Sequence, residues 1–239
     1  MTTRPTIRTC TLLDVDQHSG TVVVVDVLRA FTTAAVALAG GVERYEVVST
    51  VEEAHARRAA DPSVLLLGEV DAVKVPDFDF GNSPWELAQE DVTGRTLVHR
   101  SSSGTQGVVR SVGAHRILTA SFAVAGATAR ALATEVAAAA SITFCLTGVR
   151  ENVDGDEDRA CAEYITSLLN SDAVVDPMPY LARVGMASAA DKFRAGNPDL
   201  FPPADLPFVQ VVDRYSFAME VRRVHTERGT AHTLHRLTV

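Results

Sequence analysis

The sequence has few cysteines and little positive charge, and these shortages disfavour several classes of protein. Its 239 residues include three cysteines, Cys10, Cys145 and Cys161, and none of them is in C-x-x-C spacing. This odd number and spacing predict neither a disulfide framework nor a structural zinc site. The formal net charge of -8 disfavours nucleic acid or an anionic membrane as a partner, because both are recognised first by clustered positive charge.

Long apolar runs and nucleotide-binding motifs are also missing. The first residues contain no apolar segment of signal-peptide length, and the apolar runs elsewhere are too short to cross a bilayer. We therefore expect a cytoplasmic protein. No G-x-G-x-x-G or Walker sequence occurs, so a nucleotide-dependent transferase is an alternative with little support.

Strand-like and helix-like segments alternate along the first two thirds of the chain. Short runs rich in Val, Ile or Leu predict strands at 22–26, 45–49, 64–67, 96–99, 116–118 and 142–146. The segments between them predict helices at 28–39, 51–60, 84–89, 105–112, 122–139 and 156–170. This alternation predicts an α/β fold, with three α/β/α layers around a mixed, largely parallel sheet, in a single domain spanning residues 1–239.

The last third of the chain differs in composition from the rest. It is interrupted by prolines, namely Pro177, Pro179, Pro198, Pro202, Pro203 and Pro207. Residues 208–213 are predicted as a strand or an extended loop. Residues 218–225 and 230–237 predict a hairpin that turns at 227–229 and completes the sheet.

The stretch VVVVDVLRA, residues 22–30, places an acid and an arginine where a buried strand ends and a helix begins. Ligands of open α/β sheets bind beyond the carboxyl ends of strands, so Asp26 and Arg29 are candidates for contacting a metal and an anion. Asp26 is equally well explained as a helix cap. Arg29 is harder to explain structurally, because a cation in the first turn opposes the helix dipole.

Further polar side chains follow other predicted strands, and a shared edge of the sheet would bring them into one pocket. Carboxylate oxygens suit Mg²⁺, and the candidate metal ligands are Asp26, Glu69, Asp79 and Asp158. The segment 101–107 follows a strand and precedes a helix, so its backbone N–H groups and hydroxyls are candidates for cradling a phosphate or sulfonate.

Several segments resemble, in order, the motifs of the 2-phosphosulfolactate phosphatase family: VVVVDVLRAFTTA, GEV at Gly68, FDFGNSPWE at Phe78, SSSGTQG at Ser101, CLTG at Cys145, and Glu157-Asp158, with DRYSFAMEV fitting its C-terminal part. The resemblance implies a magnesium-dependent phosphatase of α/β architecture. It also implies the release of phosphate from 2-phosphosulfolactate to give 3-sulfolactate, in a route to coenzyme M. Departures from the family pattern at residues 100–105 and 70–72 leave another phosphorylated hydroxy acid as an alternative substrate.

These observations define a set of expected site residues. The expected catalytic residues are Asp26, Arg29, Glu69 and Asp158. The expected binding residues for a small anionic phosphate ester are Arg29, Asn82, Ser83, Ser101, Ser102, Ser103, Gly104 and Thr105. Direct attack by water and a phospho-enzyme on Ser101, Ser102 or Asp26 both stay open, as does a homo-oligomer. The rival hypothesis is a non-catalytic anion-binding or regulatory protein that keeps the fold.

Overall fold

A mixed, mostly parallel β-sheet with helices on both faces forms the body of the structure, which confirms the predicted α/β class. The computed structural model describes residues 5–150, 153–171, 173–226 and 229–239. Its strands are β1 (Thr6–Cys10), β2 (Thr21–Val25), β3 (Arg44–Val47), β4 (Leu65–Val70), β5 (Val73–Lys74), β6 (Thr96–Arg100), β7 (Arg116–Ala120), β8 (Ser141–Leu146), β9 (Phe217–Thr226) and β10 (Gly229–Thr238). Its α-helices are α1 (Ala30–Ala39), α2 (Val51–Ala60), α3 (Pro84–Leu87), α4 (Gly104–Arg110), α5 (Ala125–Ala131), α6 (Ala133–Ala137), α7 (Asp156–Asn170), α8 (Met178–Met186), α9 (Asp191–Ala195) and α10 (Asp205–Val209).

The C-terminal hairpin lies in the middle of the sheet. In the described residues the strand order is β1-β8-β2-β7-β9-β10-β3-β6-β4-β5. Strands β1, β8, β2 and β7 are parallel to one another, and so are β3, β6 and β4. The predicted hairpin is thus confirmed as β9 and β10, which join the two parallel groups, while residues 227–228 of its predicted turn lie outside the described residues.

The two parallel groups run in opposite directions, because the pairings of β7 with β9, β9 with β10 and β10 with β3 are all antiparallel. The expectation that the acid-bearing strand ends share one edge of the sheet is therefore wrong. Helix α4 packs against both β2 and β3, although three strands separate them in the sheet. We infer that the sheet curves around α1 and α4, which brings loops from the two groups together.

Strand β2 is buried on both faces, as its continuous apolar run predicts. Val22 and Val24 belong to the core that contains residues of α1 and α4. Val23 and Val25 belong to the core that contains residues of α5 and α7. Successive side chains of a strand point to opposite faces, so this division shows a helical layer on each side of the sheet.

Several predicted elements differ from the structure. Of the two alternatives predicted for 208–213, the strand is wrong, because residues 205–209 form α10 and the following residues form turns and loop. Pro207 is accommodated there because the first turn of a helix does not use its N–H groups. The predicted helix 122–139 is divided into a 3-10 turn, α5 and α6, and β1 and β5 were not predicted. Among the described residues, no helix combines the length and hydropathy that a membrane span requires.

Candidate active site

A cavity of about 390 Å³ opens where the loops that follow β2, β4, β6 and β8 meet the segment 188–192. The predicted site residues that line it are Asp26, Arg29, Glu69, Asn82, Ser102, Ser103 and Asp158. Thr147, Arg150, Glu157 and Lys192, which were outside the expected set, line it as well. The structure therefore brings most of the expected side chains together, and Asp79, Ser83, Ser101, Gly104 and Thr105 lie outside the lining.

Two buried carboxylates, those of Asp26 and Asp158, approach the same hydroxyl. Thr147 Oγ1 lies 3.2 Å from Asp26 Oδ2 and 3.4 Å from Asp158 Oδ2. Asp26 Oδ1 accepts a hydrogen bond from the N–H of Ala30 (2.9 Å), and Asp158 Oδ1 accepts one from the N–H of Val27 (2.8 Å). Asp26 is not the N-cap residue of α1, which is Arg29, but one of its oxygens accepts from the first N–H of the helix while the other lies near Thr147, so a structural and a functional interpretation of this residue are compatible.

Two glycines allow the surrounding backbone to come close to these acids. A Cβ at Gly104 would lie 2.8 Å from Asp26 Oδ2, and a Cβ at Gly148 would lie 2.7 Å from Glu157 Oε1. Both distances are too short for a real side chain. The N–H of Gly148 also donates to Asp158 Oδ2 (2.8 Å). Gly104, one of the expected binding residues, permits α4 to pack against Asp26.

The acid wall of the cavity, formed by Asp26, Glu157 and Asp158, carries strongly perturbed carboxyl groups. Burial raises the pKa of Asp26 to about 6, with the charge of Glu69 adding to the rise and the N–H of Ala30 opposing it. Burial also raises the pKa of Glu157 to about 7 and that of Asp158 well above its ordinary value. Within the described residues, no ion pair includes any of these three carboxylates.

This donor set fits a small divalent cation. Glu157 Oε2 is buried without a hydrogen-bond partner in the described part of the chain. No group of three or more His, Cys, Asp or Glu in that part could hold a metal ion by itself. Mg²⁺ commonly takes only one or two protein carboxylates and completes its shell with water and substrate oxygens. The acid wall fits that requirement with Asp26 and Asp158.

The other two expected metal ligands have different partners. Glu69 Oε1 accepts from the N–H of Ser102 (2.6 Å), and its Oε2 accepts from the Ser102 hydroxyl (3.1 Å) and the N–H of Ala72 (2.5 Å). Asp79 Oδ2 accepts from the N–H of Leu66 (2.7 Å) and from the Arg58 guanidinium. Glu69 therefore fixes the loop that follows β6, and Asp79 fixes the start of β4 outside the cavity lining.

The serine-rich loop is stabilised by its own side chains. Ser101 Oγ accepts from the N–H of Thr105 (3.1 Å), and Thr105 Oγ1 accepts from the N–H of Ser101 (2.8 Å). Because Glu69 takes the N–H of Ser102, these three amides already have partners within the chain. Ser103 lines the cavity, and its hydroxyl accepts from the Arg150 guanidinium. An anion at this loop would therefore meet side chains rather than these expected amides.

Arg29 is held in place by the C-terminal part of the chain. The residue precedes α1, its peptide bond with Leu28 is cis, and its Nη1 donates to Asp205 Oδ2 (2.9 Å). Asp205 is fully buried, and its Oδ1 also accepts from the Ser83 hydroxyl (2.7 Å) and the N–H of Trp85 (3.1 Å). Ser83, an expected substrate ligand, therefore helps to fix the acid that holds Arg29.

Lys192 stands beside Arg29, and together they form the cationic wall of the cavity. Arg29 Cζ lies 5.2 Å from the ring centroid of Phe193 and 5.5 Å from that of Phe201. Lys192 Nζ lies 5.8 Å and 5.2 Å from the same two centroids. Burial, followed by the charge of Arg29, lowers the pKa of Lys192. No predicted strand directly precedes Lys192, Phe193, Phe201 or Asp205. The rule that ligand-binding residues follow strand ends therefore did not identify them.

Three more residues of the cavity, Asn82, Thr147 and Glu157, lie in motif segments of the sequence. Asn82 lines the cavity, and its Oδ1 is buried without a hydrogen-bond partner in the described residues. Thr147 follows β8, and Glu157 precedes Asp158 in α7, so both lie within the motif segments quoted above. Their position at or near a strand end was the signal that could have placed them in the expected set.

Fold and cavity together define an α/β protein with a site in which carboxylates and cationic side chains face a common space. A family model described as 2-phosphosulpholactate phosphatase matches residues 8–192. The chain belongs to this family, and the resemblance seen in the sequence is confirmed.

Three relatives illustrate the extent of the similarity, and each is named "Probable 2-phosphosulfolactate phosphatase". The protein of Bacillus subtilis (strain 168) is 30% identical over 201 residues, which cover 84% of this chain and 86% of that protein. The protein of Symbiobacterium thermophilum is 38% identical over 143 residues, or 59% of each chain. The protein of Carboxydothermus hydrogenoformans is 42% identical over 108 residues, covering 45% of this chain and 44% of that protein.

Proposed function

We propose that this protein is a magnesium-dependent phosphatase that converts 2-phosphosulfolactate to 3-sulfolactate and phosphate. The observation that carries the proposal is the acid wall: Asp26 and Asp158 are buried, and neither has a cationic partner in the described residues. These acids face a cavity that also contains Arg29 and Lys192. The family and the names of the relatives support a phosphate ester as substrate.

Asp26 and Asp158 are the residues that would hold Mg²⁺. When bound there, the ion would neutralise charge on the phosphoryl oxygens and lower the pKa of a coordinated water. The N–H groups of Val27 and Ala30 orient the carboxylates before any ligand arrives, and the Thr147 hydroxyl, whose nearest acceptor is the Val25 carbonyl (3.0 Å), lies near both of them. Such preorganisation avoids a rearrangement of the site during the reaction.

Arg29 and Glu157 supply the other functions that hydrolysis needs. In the reaction, the oxygen of water forms a bond to phosphorus and gives up a proton, the ester P–O bond breaks, and the leaving oxygen of sulfolactate takes a proton to become a hydroxyl. Arg29 is held by Asp205 through Nη1 and lines the cavity, where its guanidinium would neutralise developing negative charge on the phosphoryl group. Glu157 lines the cavity, its Oε2 has no hydrogen-bond partner in the described residues, and its carboxyl group is placed to exchange a proton with water or with the leaving oxygen.

Water is favoured over a serine as the attacking group. Ser101 is buried, lies outside the cavity lining and exchanges hydrogen bonds with Thr105. The hydroxyl of Ser102 contacts Glu69, but it also accepts from the N–H of Asp71 and from the Arg100 guanidinium. In the described residues, neither hydroxyl donates a hydrogen bond to a histidine or to another base that is free to take its proton. A phospho-enzyme on Asp26 stays an alternative.

The proposal is tested by phosphate release from 2-phosphosulfolactate with Mg²⁺, with a chelator, and in Asp26→Asn. We expect chelation to abolish turnover reversibly and Asp26→Asn to lower kcat by about 100-fold or more, the range for removing one preorganised electrostatic group. Asp91→Asn, at an exposed acid outside the cavity lining, is the matched control. Calorimetric titration with MgCl₂ alone should show binding that Asp26→Asn weakens. Full turnover in chelator would refute the metal role, and binding of sulfolactate without turnover of any phosphorylated hydroxy acid would favour the non-catalytic rival.

A further inference from the structure

The cationic wall contains two like charges over the same pair of aromatic rings. Arg29 Cζ and Lys192 Nζ both lie within 6 Å of the Phe193 and Phe201 ring centroids. One buried acid, Asp205, pairs with Arg29. The ammonium group of Lys192 has neither an ion pair nor a hydrogen bond in the described residues. The carboxylates of Asp26, Glu69 and Glu157 act on Lys192 only from other parts of the cavity lining, so its ammonium group has no direct anionic partner among the described residues.

Lys192 is also the cavity-lining cation that is best placed to accept an additional anion. Arg29 is committed to Asp205 and, in the proposed reaction, to the phosphoryl group. Arg150 donates to the Ser103 hydroxyl at the edge of the serine-rich loop. Lys192 is half-buried, so its ammonium group has lost part of its hydration and would gain more from an ionic ligand than a fully exposed lysine would.

A substrate with two oxyanions would match two adjacent cations of which Arg29 has an acid partner and Lys192 has none in the described residues. The net charge of -8 makes such local cations necessary, because the chain as a whole repels a multiply anionic ligand. We propose that Lys192 determines specificity by binding the second oxyanion of the substrate, a sulfonate or carboxylate that does not react. This inference rests on the proposed function, since it assumes that the phosphoryl group lies between Arg29 and the acid wall.

The first test compares the wild type with Lys192→Met, Lys192→Arg and Lys74→Met on 2-phosphosulfolactate. Lys74→Met removes the other lysine of the sequence, which lies outside the cavity lining, and is the matched control. We expect Lys192→Met to raise KM by about 10- to 100-fold, the range of a charge-assisted hydrogen bond, with a smaller change in kcat. Lys192→Arg should recover most of the loss. An unchanged KM in Lys192→Met would overturn the inference.

Two truncated substrates identify the group that Lys192 binds. 2-Phospholactate keeps the carboxylate and lacks the sulfonate, whereas the phosphate ester of 2-hydroxyethanesulfonate keeps the sulfonate and lacks the carboxylate. If Lys192 binds the sulfonate, Lys192→Met should leave the KM for 2-phospholactate nearly unchanged. If it binds the carboxylate, the sulfonate-only ester should be the insensitive one. An equal loss on all three substrates would place Lys192 at the phosphoryl group and overturn the inference.

Binding of the unphosphorylated ligands separates this inference from the proposed function. Calorimetry of 3-sulfolactate, lactate and 2-hydroxyethanesulfonate requires no catalysis. Lys192-dependent binding of sulfolactate by a protein that releases no phosphate would refute the phosphatase and support the oxyanion site. The other informative outcome is normal phosphate release in which Lys192→Met changes neither the KM nor the affinity for sulfolactate. That outcome would refute the oxyanion site and leave the phosphatase proposal standing.

Discussion

The acid wall and the cationic wall of the cavity are held in place by different means. The acid wall comes from segments that follow β2 and β8, and backbone N–H groups fix the carboxylates of Asp26 and Asp158. The cationic wall depends on side chains distant in sequence, because Asp205 fixes Arg29 across 176 residues. Local backbone geometry therefore determines one wall, and the packing of the C-terminal segment determines the other.

The prediction with the largest expected effect concerns Asp205, the buried acid that holds Arg29 of the cationic wall. Asp205→Asn removes the charge that compensates Arg29, and breaking a buried ion pair in this way costs about 3–5 kcal/mol. We expect this decrease in the free energy of unfolding by urea titration, together with a loss of phosphatase activity.

The control for this prediction is Asp191→Asn on the same C-terminal segment. Asp191 pairs with Arg194, and the carboxylate is largely exposed. An exposed ion pair contributes about 0–1 kcal/mol, so this variant should be nearly as stable as the wild type. Equal effects of the two substitutions would contradict the special role assigned to Asp205.

A second prediction concerns the close approach of α4 to the acid wall. In Gly104→Ala, the new Cβ would lie 2.7 Å from Ala30 Cβ and 2.8 Å from Asp26 Oδ2, so the backbone must shift. Overpacking of this kind costs about 1–3 kcal/mol. We expect that loss of stability in urea titration and, because Asp26 moves, a lower kcat.

Gly81→Ala is the matched control, because its nearest heavy atom would be 3.7 Å away, which is ordinary contact. Its stability and kcat should stay close to those of the wild type. If Gly104→Ala behaves in the same way, then the approach of α4 is not what positions Asp26.

The prediction with the smallest expected effect concerns the Thr147 hydroxyl, which lies near both carboxylates. Thr147→Val keeps the shape of the side chain and removes the donor near Asp26 Oδ2 and Asp158 Oδ2. We expect a loss of about 1 kcal/mol in the free energy of unfolding, the usual contribution of one hydrogen bond. Thr147→Val should also weaken Mg²⁺ binding measured by calorimetry, whereas Thr147→Ser, which retains the hydroxyl, should bind Mg²⁺ as the wild type does. Equal weakening in the two variants would contradict a role for the hydroxyl.

The acid wall could largely be predicted from the sequence because its signals are local. The apolar run Val22–Val25 ends at Asp26, so both the strand and the acid at its end are visible in neighbouring residues. Asp158, in the first turn of the helix that follows β8, was expected as well, whereas Glu157 was not. The serine-rich loop was located correctly, but the i to i+4 bonding of Ser101 with Thr105 depends on side-chain geometry that its composition does not reveal.

The cationic wall and the sheet topology could not be predicted in this way. The segment around Asp205 lacks a helical or strand period and is rich in proline, so nothing in it indicates that its acid meets Arg29. The hairpin itself was recognised from its local pattern. Its place between β7 and β3, which sets the two parallel groups in opposite directions, depends on pairing between residues far apart in the sequence.

The central position of the hairpin has a consequence for folding during synthesis. While a chain is emerging from the ribosome, β1, β2, β7 and β8 can assemble separately from β3, β4 and β6, but β9 and β10 are translated last. Until then, β7 and β3 expose unpaired edges to other nascent chains, and such edges favour aggregation. The interval between translation of the last parallel strand and release of the C-terminus is therefore the period in which this protein most needs chaperone protection.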